Sequence, residues 1–229
     1  MREITFQRNF TKHPAGAVLA SFGDTRVICT VSISEDLPRW LKGQGRGWLS
    51  AEYAMLPGST NTRKRRSRGG KVDGRSVEIQ RLIGRSLRAA VDLEKLGEVS
   101  LTVDCDVLQA DGGTRTTAIS GAWVALVDAL NLLAEQRGEA QGAKAYLIGQ
   151  LSAVSVGVVD GEIVCDLDYA HDSHAEVDMN VVMRDDQFVE VQGTGEQGVF
   201  DRAQLDALLN SATAGCAQIQ RAQRLALGW

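Results

Sequence analysis

The sequence predicts an α+β fold, and three observations point to it. Two β-hairpins read almost alike, one at residues 18–33 and one at 151–169. Each is followed, after an intervening segment, by further strand and helix. The last helical pattern, 202–227, carries a normal core stripe of Leu205, Leu208, Leu209, Ala212, Cys216 and Ile219. The spacing therefore implies a repeated β-then-α unit. We read the chain as one domain over 1–229, with pseudo-duplicated halves at about 1–135 and 145–229.

In the first half, Val18 to Phe22 and Arg26 to Ile33 run or alternate apolar around Gly23-Asp24-Thr25, a hairpin turn. A long polar segment follows from Pro38 to Gly74. Gly43, Gly45 and Gly47 mark a loop, and Trp48 to Met55 a short strand. The segment then becomes strongly basic, with Arg63, Lys64, Arg65, Arg66, Arg68, Lys71 and Arg75 against the single acid Asp73. Such a run is either a solvated surface tract or a dock for a polyanion.

A helix is expected from Ser76 to about Leu93, with Val77, Leu82, Leu87 and Ala90 on its buried side. Arg81, Arg85 and Arg88 share another face. That stripe either faces solvent, with Glu78 paired to Arg81 or Arg85, or meets RNA or another subunit. The stretch DVLQADGGTRTTAISGAW (106–123) reads as the end of a strand at 101–108, a polar glycine turn, and the start of a buried helix from about Thr117 that carries Trp123, Leu126, Val127 and Leu130. Residues 134–144 form a polar connector. In the second half, Leu151 to Val159 and Ile163 to Tyr169 flank the turn Asp160-Gly161.

The chain has 229 residues, 44% hydrophobic and 24% charged, with a net charge of −4. That is ordinary for a globular protein and a poor match for a general nucleic-acid coat. No apolar run approaches the ~20 residues of a membrane span, and the N-terminus lacks the apolar core of a signal peptide. Cys29, Cys105, Cys165 and Cys216 are widely spaced without a CxxC pair, as expected of free thiols in a reducing cytoplasm.

Two places carry chemistry. At the first, Gly112 and Gly113 can gather backbone N–H groups at a helix start, beside Thr114, Arg115 and Thr116. This is either a phosphate cradle or an ordinary strand–turn–helix joint with Thr116 or Thr117 as N-cap. At the second, Asp172 and Asp178 would lie roughly 20 Å apart in a straight strand, so they converge only if 171–175 bends. Together they would suit Mg²⁺; apart, one caps a turn and the other faces solvent. His171 and His174 lack the companions a zinc site needs. No GxSxG elbow supports a serine hydrolase.

QADGGTRTTAISGA resembles the phosphate-binding segment of the ribonuclease PH family. FGDTRVICTVSI (22–33), PRWLKGQGRGWLSAEYAMLPGST (38–60), GRSVEIQRLIGRSLRAA (74–90) and DSHAEVDMNVVM (172–183) agree, in family order across almost the whole chain. The resemblance implies a duplicated βαβα fold, ribosomal protein S5 domain 2-like. It implies a phosphorolytic nucleotidyltransferase, a 3′→5′ exoribonuclease of transfer RNA precursors with orthophosphate as co-substrate.

The resemblance also assigns residues. Arg75, rather than Arg81, joins Gly113, Thr114 and Arg115 in binding phosphate. Asp172 and Asp178 become catalytic residues and ligands of Mg²⁺ or Mn²⁺, with Glu176 in support. Arg63, Arg65, Arg66, Arg68 and Lys71 would bind RNA. It implies a cytoplasmic homo-hexamer, a trimer of dimers, away from membranes. Family members usually begin with a longer Arg-rich stretch than this chain has. A catalytically silent RNA-binding ring subunit would have lost phosphate or metal residues. A small-molecule kinase would need a nucleotide-binding glycine loop that is not found.

Overall fold

The computed structural model describes residues 1–66 and 73–229. In the first half, β1 (Ile4–Arg8), β2 (Gly16–Phe22) and β3 (Thr25–Ser34) form an antiparallel meander. Next come β4 (Trp48–Met55), α1 (Gly74–Arg88), the short α2 (Leu93–Leu96), β5 (Ser100–Gln109) and α3 (Thr114–Arg137). The sheet order is β1-β2-β3-β5-β4, with β4 parallel to β5 and every other pair antiparallel.

A 3₁₀ turn at Gly142–Ala145 leads into the second half: β6 (Leu151–Val159), β7 (Glu162–Cys165), α4 (Tyr169–Asp172), β8 (Val177–Arg184), β9 (Gln187–Gly195) and α5 (Arg202–Leu227). Its sheet is antiparallel in the order β7-β6-β8-β9.

Helix α3 explains how the sheets share one core. It packs on β2 and β3 from one side and on β6 from the other. A helix between two sheets has no solvent side to keep polar, and α3 is buried almost all round from Thr114 to Ala134. By length and composition α3 could cross a bilayer, yet 83% of its most apolar stretch is buried inside the protein. Helix α5 covers β6 and β1, and α1 covers β4. One continuous apolar cluster runs through both halves.

Several boundaries differ from expectation for local reasons. Helix α3 starts at Thr114, not Thr117. Gly113 takes a left-handed φ of 61° as its N-cap, and the Thr116 and Thr117 hydroxyls donate back to the Gly113 carbonyl. Helix α1 ends at Arg88, because Val91 bridges to Leu147 and Asp92 caps the separate α2. Val77 is only half-buried, while Ile79 and Ile83 fill the core. Strand β7 stops at Cys165, where Asp166 turns with φ 67°. Helix α3 also runs on to Arg137, into the expected connector. All four cysteines are free thiols.

Candidate active site

The loop between β5 and α3 is braced from both halves. From the first, the Thr25 hydroxyl donates to the Gly112 carbonyl at 2.6 Å and accepts from the Asp111 N–H at 3.0 Å. Gln109 donates its side-chain amide to the Asp24 carbonyl at 2.8 Å. From the N-terminus, Arg2 spans the two halves. Its guanidinium grips the Asp166 carboxylate at 2.6 and 3.0 Å and donates to the Asp111 carbonyl at 2.5 Å. Gly112, at φ 71°, sits against the Leu167 carbonyl and the Asp168 backbone, where a Cβ would collide. Only glycine fits both the conformation and the space.

Among the described residues no side chain caps the start of α3. Its first turn therefore presents unpaired N–H donors and the positive end of a 24-residue helix. Around it lies an open cavity of about 880 Å³ whose walls include Arg75, Gly113, Thr114, Arg115, Asp172 and Asp178. All six sequence-predicted phosphate and carboxylate residues thus share one space. Helix α4 supplies the bend that convergence required. Asp168 caps it, accepting from the His171 N–H at 2.9 Å, and the turn closes from Ala175 N–H to the Asp172 carbonyl at 3.4 Å.

Two neighbours set the cradle's polar geometry. The buried Tyr53 hydroxyl donates to the Thr114 hydroxyl at 2.9 Å. Burial pushes the Tyr53 hydroxyl up, while Thr114, Arg75 and Arg115 pull it back. Arg115 donates to Gln192 on β9 at 3.4 Å and faces the Glu78 carboxylate at 3.5 Å. Gln192 donates to Glu190 at 2.8 Å, which in turn pairs with Arg85 at 2.7 Å. Glu78 thus faces Arg115, where the solvent-facing alternative for the stripe paired it with Arg81 or Arg85. The α1 stripe also splits: Arg88 stacks over Trp48 and donates to the Leu49 carbonyl.

The carboxylate wall is charged and short of partners. Burial, then repulsion from Asp172, pushes the Asp178 carboxyl up to about 6, against the pull of Arg115. Asp172 is also raised by burial, with Arg75 drawing it down and Glu196 adding to the rise. Asp178 Oδ1 is buried without a hydrogen-bond partner among the described residues. An orphaned hard oxygen beside a second carboxylate fits Mg²⁺, which uses one or two carboxylates and keeps its waters. It does not fit a metal needing a full protein cage, and no group of three or more such ligands occurs among the described residues. His171 pairs with Asp168, and His174 bonds within its own turn.

Glu176 corrects one expectation. It accepts from the Gly161 N–H at 3.1 Å, bracing the β6–β7 turn rather than the aspartates. Glu196 reaches the cavity instead, as do Asn180, Ser155 and Tyr169. These residues lie on β6, β8, α4 and the end of β9, which meet only in the folded chain. No local motif flags Tyr53, Glu196 or Gln192.

The basic loop stands apart from the cradle. Arg63, Arg65 and Arg66 line a second groove with Lys64, above Glu52, Asp104 and Asp106. Burial and Glu52 raise both of those aspartates. Lys64 lines both spaces and lies 3.6 Å from Asp73. Arg68 and Lys71 lie outside the described residues.

A two-sheet fold with an uncapped helix start, two arginines and a carboxylate pair on one cavity defines a site built for anion chemistry. Family models agree on the kind: residues 1–130 match domain 1 and residues 149–215 domain 2 of the 3′ exoribonuclease family. Ribonuclease PH of Corynebacterium glutamicum (strain R) is 56% identical over 230 residues, covering 100% of this chain and 93% of the relative. The chain belongs to the RNase PH family of 3′ exoribonucleases.

Solved structures share the fold. Rice (Oryza sativa) Rrp46 matches with a TM-score of 0.77 at 18% identity, over 98% of this chain and 94% of that one. The Archaeoglobus fulgidus exosome with RNA bound to its active site matches with a TM-score of 0.79 at 22% identity, over 96% and 87%.

Proposed function

We propose that this chain is a phosphate-dependent 3′→5′ exoribonuclease that trims transfer RNA precursors and other RNAs. The observation that carries the reading is the single cavity joining the uncapped head of α3, Arg75, Arg115 and the Asp172–Asp178 pair. Full-length identity to a ribonuclease PH supports it.

Orthophosphate binds between Arg75, Arg115 and the backbone of Gly113 and Thr114, completing the helix cap. One of its oxygens attacks the phosphorus of the terminal phosphodiester in line, and the bond to the leaving 3′-oxygen breaks. The products are a nucleoside 5′-diphosphate and an RNA one nucleotide shorter. Asp178 supplies the proton to the 3′-oxygen, and Asp172 is the main metal-binding partner of the pair. The two arginines hold two mutually repelling phosphates in place, which is most of what this reaction asks of a protein.

Asp172 and Asp178 would hold Mg²⁺ or Mn²⁺, which when bound neutralises phosphate charge. The phosphodiester broken and the diphosphate linkage made are close in energy, so abundant nucleoside diphosphates drive nucleotide addition at the same site. One domain, residues 1–229, carries both walls of this cavity. Arg63, Arg65, Arg66, Arg68 and Lys71 bind the RNA body, and a homo-hexamer built as a trimer of dimers gathers these loops in the cytoplasm.

The test is incubation with a structured RNA bearing a short 3′ tail and Mg²⁺, with and without orthophosphate, reading small products by chromatography. Nucleoside diphosphates released only with phosphate support the reading. Monophosphates without phosphate mean a hydrolase. Retained RNA with no release means a silent binding subunit.

A further inference from the structure

The cavity has one feature that phosphate and carboxylate chemistry leaves unused. Tyr169 is 60% exposed and lines the cavity wall. Among the described residues it is the one large exposed apolar side chain that does so. Neither its ring nor its hydroxyl has an aromatic or hydrogen-bond partner among them.

Its backbone, by contrast, is fixed. The Tyr169 N–H donates to Asp111 Oδ1 at 3.3 Å, and its carbonyl accepts from the Ser173 N–H at 3.0 Å. The same helix is capped by Asp168. A flat ring is therefore displayed from a rigid turn, and that turn is tied to the loop forming the cradle.

Position gives the ring its meaning. Tyr169 and Asp172 are three residues apart on α4, so their side chains leave the same face about 5–6 Å apart. That is the reach of one nucleotide from its phosphate to its base. Ser59, Thr60 and Asn61 also line the cavity, and these side chains are polar.

We propose that Tyr169 is the stacking platform for the base of the 3′-terminal nucleotide, a subsite for any nucleobase, resting on the exoribonuclease reading above. Every base has a π-face, so an aromatic platform grips an unpaired end without reading sequence. Purines, with more surface, stack more strongly than pyrimidines. The ring thus selects an unstacked terminal base and presents its phosphodiester to Asp172 and Arg115.

The experiment uses the full chain and an RNA whose 3′-terminal nucleotide carries 2-aminopurine, whose fluorescence stacking quenches. Titration without phosphate keeps the end intact, so the outcome does not depend on turnover; product release with phosphate separately tests the exoribonuclease reading. The wild type and Tyr169→Phe should both quench the probe. Tyr169→Ala should abolish the quench and weaken RNA binding about tenfold, with the KM for phosphate unchanged. Tyr169→Trp should quench at least as strongly as wild type. With the probe moved two nucleotides inward, Tyr169→Ala should change nothing. A terminal quench that survives Tyr169→Ala would overturn the proposal. So would a change of assembled mass in that variant, which would make the ring a subunit contact.

Discussion

The two walls of the cavity are built on opposite plans. The cradle wall is over-determined: Thr25, Gln109 and Arg2 each bond the loop, and Gly112 is wedged against the second half. The carboxylate wall is under-satisfied, with Asp178 Oδ1 lacking a partner among the described residues and both carboxyls raised. A preorganised set of donors stabilises an anion with little reorganisation on arrival. A pair of carboxylates short of partners is unfavourable alone and improves when positive charge arrives. The contrast teaches that one wall has its partners in place, while the other would gain them only from the substrate or metal of the proposed reaction.

The largest effect should come from the unfinished wall. Asp178→Asn should lower phosphorolysis about 10²- to 10⁴-fold in steady-state assays, the usual contribution of a proton-transferring group. The same variant should be more stable than wild type at pH 7 without divalent ions. The folded-state value of Asp178, about 6, lies above its unfolded value. The folded chain therefore holds an extra proton between about pH 4 and 6, and stability falls as pH rises through that window. Denaturant titrations of wild type should show this slope, and Asp178→Asn should lack it.

Breaking the finished wall should cost stability first. Arg2→Ala leaves Asp166, whose side chain is 1% exposed, as a buried unpaired charge. The expected loss is about 3–5 kcal/mol, read by thermal or chemical denaturation. A smaller, more selective effect is expected inside the cradle. Tyr53→Phe removes the donor to Thr114, which otherwise leaves the Thr114 proton free to face phosphate. The KM for phosphate should rise about two- to tenfold, with RNA affinity unchanged.

The smallest effect should have the opposite sign. On the proposed reading, Glu78 would compete with phosphate for Arg115 across a partly exposed contact of 3.5 Å. Glu78→Gln should lower the KM for phosphate about twofold, the scale of an exposed ion pair. A rise instead would make Glu78 a support for Arg115 rather than its competitor.

Much of this was legible in the sequence, because hairpins, capped helices and a glycine cradle are written in contiguous residues. Strand β4 and helix α5 fall where their apolar patterns placed them. What escaped depends on tertiary approach. Gly113 as a left-handed cap moved the start of α3 by three residues. The spacing of Asp172 and Asp178 alone favours standing apart and only the family resemblance brings them together; α4, capped by Asp168, supplies the bend. Glu78 has Arg81 and Arg85 within reach along its own helix, yet Arg115 on α3 faces it. Glu196 reaches the cavity from just past β9, and Tyr53 meets Thr114 from β4, where the strand spacing says only strand.

The most direct test of the central claim is the fate of phosphate itself. The wild type should be incubated with unlabelled RNA and ³²P-orthophosphate, beside Arg115→Ala. Label in the β-position of the released nucleoside diphosphates, lost or strongly reduced in Arg115→Ala, is the predicted result. Unlabelled nucleoside monophosphates, or label incorporation unaffected by Arg115→Ala, would contradict the account.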